Sequence, residues 1–256
     1  MAKIISFINQ KGGAGKTAST NAVSVCLKHR GYRVLCVDFD PQGYLTFSMG
    51  ADARQHPTIY DVLKHTVKCR HAIQEDGPIC PTIPADALLG NIEREFSGVG
   101  SERALRDCLK PISPFYDYIL VDSPPELGLL SANAVVASDV VLIPGLSDGY
   151  SLQGVIQVHE TIVRIQQQLN PGLTIGGMFL VRYYPREELS RTTWETAQML
   201  CEHLGIPLLQ THIRHSNAIS KAMTTLQRDI VDYAPRNNAV QDYMALVDEL
   251  FQRGLL

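Results

Sequence analysis

Gln10-Lys11-Gly12-Gly13-Ala14-Gly15-Lys16-Thr17 is the stretch of this 256-residue chain that decides how the rest is read. It follows a compact apolar run, Lys3 to Ile8, and precedes a segment, Thr17 to His29, in which Ala22, Val25 and Cys26 fall at helical spacing before Gly31. A strand, a glycine-rich turn and a helix in that order make an anion cradle. Gly12, Gly13 and Gly15 let backbone N–H groups turn inward around phosphate oxygens, and the helix amino terminus adds the positive end of its dipole. A turn that merely joined strand to helix would close on Gly-Lys-Thr only by chance.

In such a loop Lys16 supplies a point charge to the β- and γ-phosphates of a nucleotide, and the Thr17 hydroxyl enters the coordination shell of Mg²⁺. The candidate nucleotide contacts are therefore Gly12, Gly13, Ala14, Gly15, Lys16, Thr17 and Ala18, with ATP and Mg²⁺ as cofactors. Lys11 is the unusual member, because Lys16 already serves the phosphates of its own loop. A second cation at the mouth suggests a reach across an interface, against the plainer reading of a solvated loop lysine.

Working outward, Arg33 to Phe39 is almost continuously apolar, as a parallel strand covered on both faces requires, and it opens into Asp38-Phe39-Asp40-Pro41-Gln42-Gly43. Ile119-Leu120-Val121-Asp122 is a second apolar run closing on an acid, a pattern that holds Mg²⁺ directly or through water when it accompanies a phosphate loop. Thr17, Asp38 and Asp122 are the candidate metal-side residues. Similar runs recur at Tyr118 to Val121, Val140 to Ile143, Leu173 to Val181 and Pro207 to Ile213, each followed by a plausible helix. The alternation predicts an α/β fold with a doubly wound, mostly parallel sheet, of the P-loop NTPase type, in one domain spanning 1–256. Residues 50 to 115 are less regular, with a helix expected near Ile59 to His65. Val240 to Arg253 reads as a terminal amphipathic helix.

Composition narrows the function classes. Apolar residues make up 45% and charged residues 19% of the chain, which is ordinary for a folded domain. A net charge of −3 excludes a surface given over wholly to nucleic acid, so any such binding needs a local basic patch. Six widely spaced cysteines without a Cys-x-x-Cys pair fit neither a disulfide framework nor a zinc ribbon and read as reduced thiols. His65, Cys69 and His71 have a superficial metal spacing but lack a fourth ligand. The amino-terminal apolar run is too short for a signal segment or a span, so a cytoplasmic protein is expected.

Lys-Gly-Gly-x-Gly-Lys-Thr at 11–17 resembles the deviant Walker A family, the ParA/MinD group, whose members dimerise with two ATP molecules between subunits. The resemblance implies that Lys11 contacts the partner's nucleotide and that Asp40, in the matching Asp-x-Asp-Pro-Gln-Gly segment, positions the attacking water. Lys11, Lys16 and Asp40 are thus the candidate catalytic residues. Two further segments are similar to the family: 148–154 after the fourth strand, and Ala234-Pro235-Arg236-Asn237, whose Pro235 would lie beside the adenine. Ala14, Ala18 and Tyr44 depart from the commoner valine, threonine and asparagine without removing a catalytic group.

Gln10, Asp-Pro-Gln-Gly and Asp-x-Pro-Pro look like the ParA/Soj branch, the DNA-partitioning ATPases. MinD-like proteins end in a basic amphipathic helix, whereas the last seventeen residues here carry Asp242, Asp248 and Glu249 against Arg253, so no membrane binding is expected. The cysteines do not fall where nitrogenase iron protein needs them. The branch implies an ATP-dependent homodimer on the nucleoid, non-specific DNA binding and a ParB-like partner, the cargo being a plasmid, mobile element or chromosome origin. Candidate DNA contacts are Arg182, Arg186, Arg191, Arg214, Lys221 and Arg228, with Arg236 beside them, although acids such as Glu187, Glu188 and Asp229 interleave. Ala218 and Lys221 stand where the family usually has arginine and glutamate. Two alternatives stay open: a positioning ATPase for a protein cargo, and an ATP-dependent biosynthetic enzyme of the dethiobiotin-synthetase type.

Overall fold

The computed structural model describes residues 1–96, 98, 100–148 and 153–256. Strands β1 (Lys3–Phe7), β2 (Val34–Asp38), β3 (Thr82–Ile83), β4 (Tyr118–Asp122), β5 (Val140–Leu146), β6 (Thr174–Tyr183) and β7 (Ile213–Arg214) form a seven-stranded sheet in the order β3-β2-β4-β1-β5-β6-β7. Every neighbouring pair in it is parallel. The doubly wound α/β architecture of the P-loop NTPases is therefore the fold of this chain.

Alternation along the central strands explains the layers. Ile4, Ile8, Leu35, Val37, Ile119 and Val121 point to one face, packed under helices Leu129–Ala137, Gln153–Gln168 and Glu188–Leu204. Ile5, Phe7, Val34, Cys36, Tyr118 and Leu120 point to the other, under α1 (Lys16–His29) and the terminal helix Asn238–Gln252. Both faces being covered, each strand is buried along nearly its whole length.

Connectivity places the site. From β1 the chain crosses through α1 toward β2, on one side, and from β4 it crosses toward β5, on the other. The crevice at the carboxyl ends of β1 and β4 is the switch point where open α/β sheets bind ligands. Residues Phe7 and Asp122 are paired there, and so are Asp38 and Asp122.

Two expectations need correcting. The irregular 50–115 region contributes a strand, β3, whose two residues are too few to show a period. Pro207 to Ile213 is not one strand. Leu208 makes a single bridge to Met178, and pairing resumes only at Ile213. Between them the N–H groups of Gln210 and Thr211 donate to the Glu249 carboxylate of the terminal helix, at 2.9 and 2.8 Å, instead of to a strand. The helix expected near Ile59 to His65 runs Ile59–Leu63 and is closed at its start by a Thr58–Asp61 capping box.

Candidate functional site

Gly15 caps α1 in the left-handed region, at φ 85°, and a Cβ there would stand 3.0 Å from Val181 Cγ2 on β6. The backbone conformation calls for glycine, and a side chain would also crowd Val181. Gly13 also has positive φ, at 74°. Asn9, which the sequence did not single out, is buried at the end of β1 and braces the loop. Its Nδ2 donates to Pro144 O at 2.6 Å, and its Oδ1 accepts from the Lys11 N–H at 2.9 Å.

Lys16 is buried, its Nζ 3.4 Å from Lys11 O. Burial lowers its pKa, and Asp122 and then Asp40 pull it back up. Thr17 Oγ1 donates to Asp122 Oδ2 at 2.6 Å. Asp122 Oδ1 is buried with no hydrogen-bond partner, and burial followed by the Asp38 charge pushes Asp122 well above the usual carboxylate range. A hydroxyl and an orphaned carboxylate oxygen side by side are the hard oxygen donors that a divalent cation takes. The residues present therefore fit Mg²⁺.

Asp38 is 0% exposed, and burial pushes its carboxyl up to about 6 against the opposing bonds from Thr46 and Asp40. Asp40 is buried one turn of loop further on, its Oδ1 accepting from the Gln42 N–H at 2.9 Å. The Nζ of Lys11 donates to both oxygens of Asp148 at 3.0 and 2.9 Å. Asp148 opens the family-like segment 148–154, of which 149–152 lie outside the described residues.

Residues 2–175 match the family described as AAA domain. The chain is 34% identical to the sporulation initiation inhibitor protein Soj of Bacillus subtilis, covering 99% of this chain and 100% of that one. It is 33% identical to the chromosome partitioning protein ParA of Caulobacter vibrioides, covering 98% and 94%. The chain belongs to the ParA/Soj family of ATPases. Among solved structures, cobyrinic acid a,c-diamide synthase from Mycobacterium smegmatis with bound ATP analog and magnesium is 27% identical, with 99% and 96% covered and a TM-score of 0.86.

The positions singled out as DNA contacts in this ParA/Soj chain are less uniform than its phosphate loop. Arg182 lies near the end of β6, Arg186 and Arg191 follow that strand, and all three are exposed, as are Lys221, Arg228 and Arg236. None of these six forms a salt bridge among the described residues. Arg214 differs: its Nε and Nη2 bond both oxygens of Asp242 at 2.8 and 2.6 Å, which ties β7 to the terminal helix. Nearby, Tyr184 stacks on His215 with ring centroids 5.1 Å apart. Pro235 is exposed in the turn before the terminal helix, its carbonyl accepting from Gln241 Nε2 at 2.6 Å.

All six cysteines are free and buried. His65, Cys69 and His71 do not converge. The trio whose ligand atoms do approach one another among the described residues is His29, Asp229 and Asp232, where Lys28 Nζ, 3.7 Å from Asp229 Oδ2, already supplies a cation. No helix among the described residues is long and apolar enough to cross a membrane.

Proposed function

We propose that this chain is an ATP-driven dimerising switch that binds DNA without sequence preference and hydrolyses ATP to partition DNA. The observation that carries the reading is a second lysine, Lys11, posted at the mouth of a cradle whose own charge requirement Lys16 already meets from within. The triphosphate lies along 12–18, with Lys16 against its outer phosphates and Pro235 toward the base. Thr17 and Asp122 would hold Mg²⁺, whose charge would offset that on the phosphoryl oxygens. Asp40 orients the attacking water. On dimerisation Lys11 exchanges Asp148 for the nucleotide of the second subunit, and the exposed cations at and after the end of β6 meet DNA phosphates. The whole of 1–256 acts as one domain, nucleoid-associated in the cytoplasm, with a ParB-like protein stimulating hydrolysis and a plasmid, mobile element or chromosome origin as cargo.

Duplex-DNA binding with ATP, ADP or no nucleotide, repeated across salt for wild type and Asp40→Ala, tests this. ATP-dependent, salt-sensitive binding that persists longer in Asp40→Ala is the expected result, and binding indifferent to nucleotide overturns it. Lys11→Ala should weaken dimerisation more than monomer nucleotide affinity. The full-length likeness to a diamide synthase favours a second reading, ATP-dependent amidation of a carboxylic acid. That reading requires turnover to depend on a carboxylic acid and an amine donor and to ignore DNA.

A further inference from the structure

Asp38 stands in register with Asp122, yet its carboxylate is taken up by this chain's own donors. Oδ2 accepts from the Thr46 backbone N–H and from the Thr46 hydroxyl, both at 2.7 Å, and Oδ1 accepts from the Asp40 N–H at 3.2 Å. The Thr46 hydroxyl, having donated to Asp38, accepts from the Ala85 N–H at 2.9 Å. Ala85 lies just beyond β3, and its carbonyl is 3.2 Å from where a Cβ would stand on Gly43, which caps α2 (Tyr44–Met49) at φ 66°. The end of β2, the Asp40 loop, the start of α2 and the exit from β3 thus meet at one carboxylate and one hydroxyl. Asp40 is clamped on each side: its N–H by Asp38, its carbonyl by the Gly43 N–H at 3.0 Å, its Oδ1 by Gln42.

We infer that Asp38 and Thr46 are positioning residues that fix the loop carrying Asp40, and that Asp38 is not a ligand of the metal. The division of labour follows from which oxygens are committed. Three donors point at Asp38, whereas Asp122 keeps a buried oxygen with no protein partner beside Thr17. A charged acceptor with short bonds to a backbone N–H and a hydroxyl holds geometry more stiffly than neutral pairs do. Stiffness matters here because a misplacement of about 1 Å in a reacting group costs on the order of 10²-fold in rate. The inference rests on the reading of Asp40 as the residue that orients water.

The test compares Thr46→Val, which keeps the shape and removes the hydroxyl, with Thr46→Ser, which keeps the hydroxyl, and uses Asp40→Ala as reference. Steady-state hydrolysis, affinity for a non-hydrolysable ATP analogue and a Mg²⁺ titration are read for each. Thr46→Val is expected to lower kcat by about 10- to 100-fold, with analogue affinity and Mg²⁺ dependence within about threefold of wild type, and Thr46→Ser recovers most of the rate. Asp38→Asn, which sets an amide against the Asp40 N–H, is expected to lower kcat while leaving the Mg²⁺ midpoint in place. A slow Asp40→Ala beside a Thr46→Val of wild-type rate overturns the inference alone. So does a Mg²⁺ midpoint raised tenfold in Asp38→Asn, which would make Asp38 a ligand, or loss of analogue binding in Thr46→Val, which would reduce Thr46 to folding. An Asp40→Ala that hydrolyses ATP at the wild-type rate brings down the reading of Asp40 itself, and this inference with it.

Discussion

The carboxyl ends of β2, β4 and β1 and the edge made by β6 and β7 belong to one sheet but are built on opposite rules. At the centre each functional group is bonded to another: Thr17 to Asp122, Asp38 to Thr46 and the Asp40 N–H, Asn9 to the Lys11 N–H. Along the edge the cations are separate and exposed, and the exception, Arg214, spends its guanidinium on Asp242. Chemistry needs groups held within a fraction of an ångström, so its residues must fix one another. Attraction to a uniformly charged polymer needs only charge at the surface, and mutual bonding would neutralise it.

The largest effect expected from that contrast is at the centre. Lys16→Ala leaves the phosphates without their buried cation and is expected to weaken ATP binding by more than about 100-fold, read by calorimetry. Retained tight binding would show the cradle to be less interdependent than described. Next, Asp40→Ala should slow hydrolysis by about 10²-fold while ATP affinity changes by a few fold, because only the attacking water loses its guide. Equal losses in both would merge the two roles.

Burial of Asp122 and Asp38 adds a pH dependence of known sign. Both carboxyls are raised in the folded state, Asp38 to about 6, so the folded protein binds these protons more tightly than the unfolded chain does. Without ligands the contribution of Asp38 to stability falls as pH rises from the ordinary carboxylate range through about 6, and that of Asp122 changes in the same direction. Mg²⁺ with nucleotide offsets that loss, so the gain in Tm on adding it should be larger at pH 7.5 than at pH 5. A gain that shrinks toward pH 7.5 would detach Asp122 from the metal.

Effects at the edge should be smaller and graded. Each exposed arginine that meets a phosphate, Arg182 or Arg186 for example, should on change to Glu lower the salt slope of DNA binding by about 0.9. Unaltered slopes at all of the exposed positions would move the DNA face elsewhere. Arg214→Ala should cost about 1 kcal/mol of stability, since the pair is partly exposed at 34% and 13%. That corresponds to a Tm lowered by roughly 2–4 °C. A larger loss in DNA affinity than in Tm would return Arg214 to the binding surface.

The same contrast explains what the sequence disclosed. Gly15, Lys16 and Thr17 owe their roles to neighbours within one turn, and Asp122 to closing an apolar strand, so pattern suffices for each. The parallel sheet was legible because central strands buried on both faces read as apolar runs. Thr46 and Asn9 acquire meaning only through contacts with Ala85 and Pro144, far along the chain. Nothing local marks them. β3 was illegible at two residues in a proline-rich stretch. The missing half of the Pro207–Ile213 strand was decided by Glu249, some forty positions later, which takes its N–H groups. Segment 148–154 was noticed as a resemblance, but the grip of Asp148 on Lys11 is a product of the fold.

A Cβ on Gly15 would meet Val181, and the next residue along β6 is Arg182. One valine side chain thus separates the turn that would wrap a triphosphate from the strand end that presents a candidate DNA cation. Close-packed contacts absorb only a few tenths of an ångström before the neighbour itself has to move. Any side chain larger than hydrogen at position 15 would therefore press on β6 immediately beside Arg182, so a substitution made in the phosphate turn has its first neighbour on the far strand.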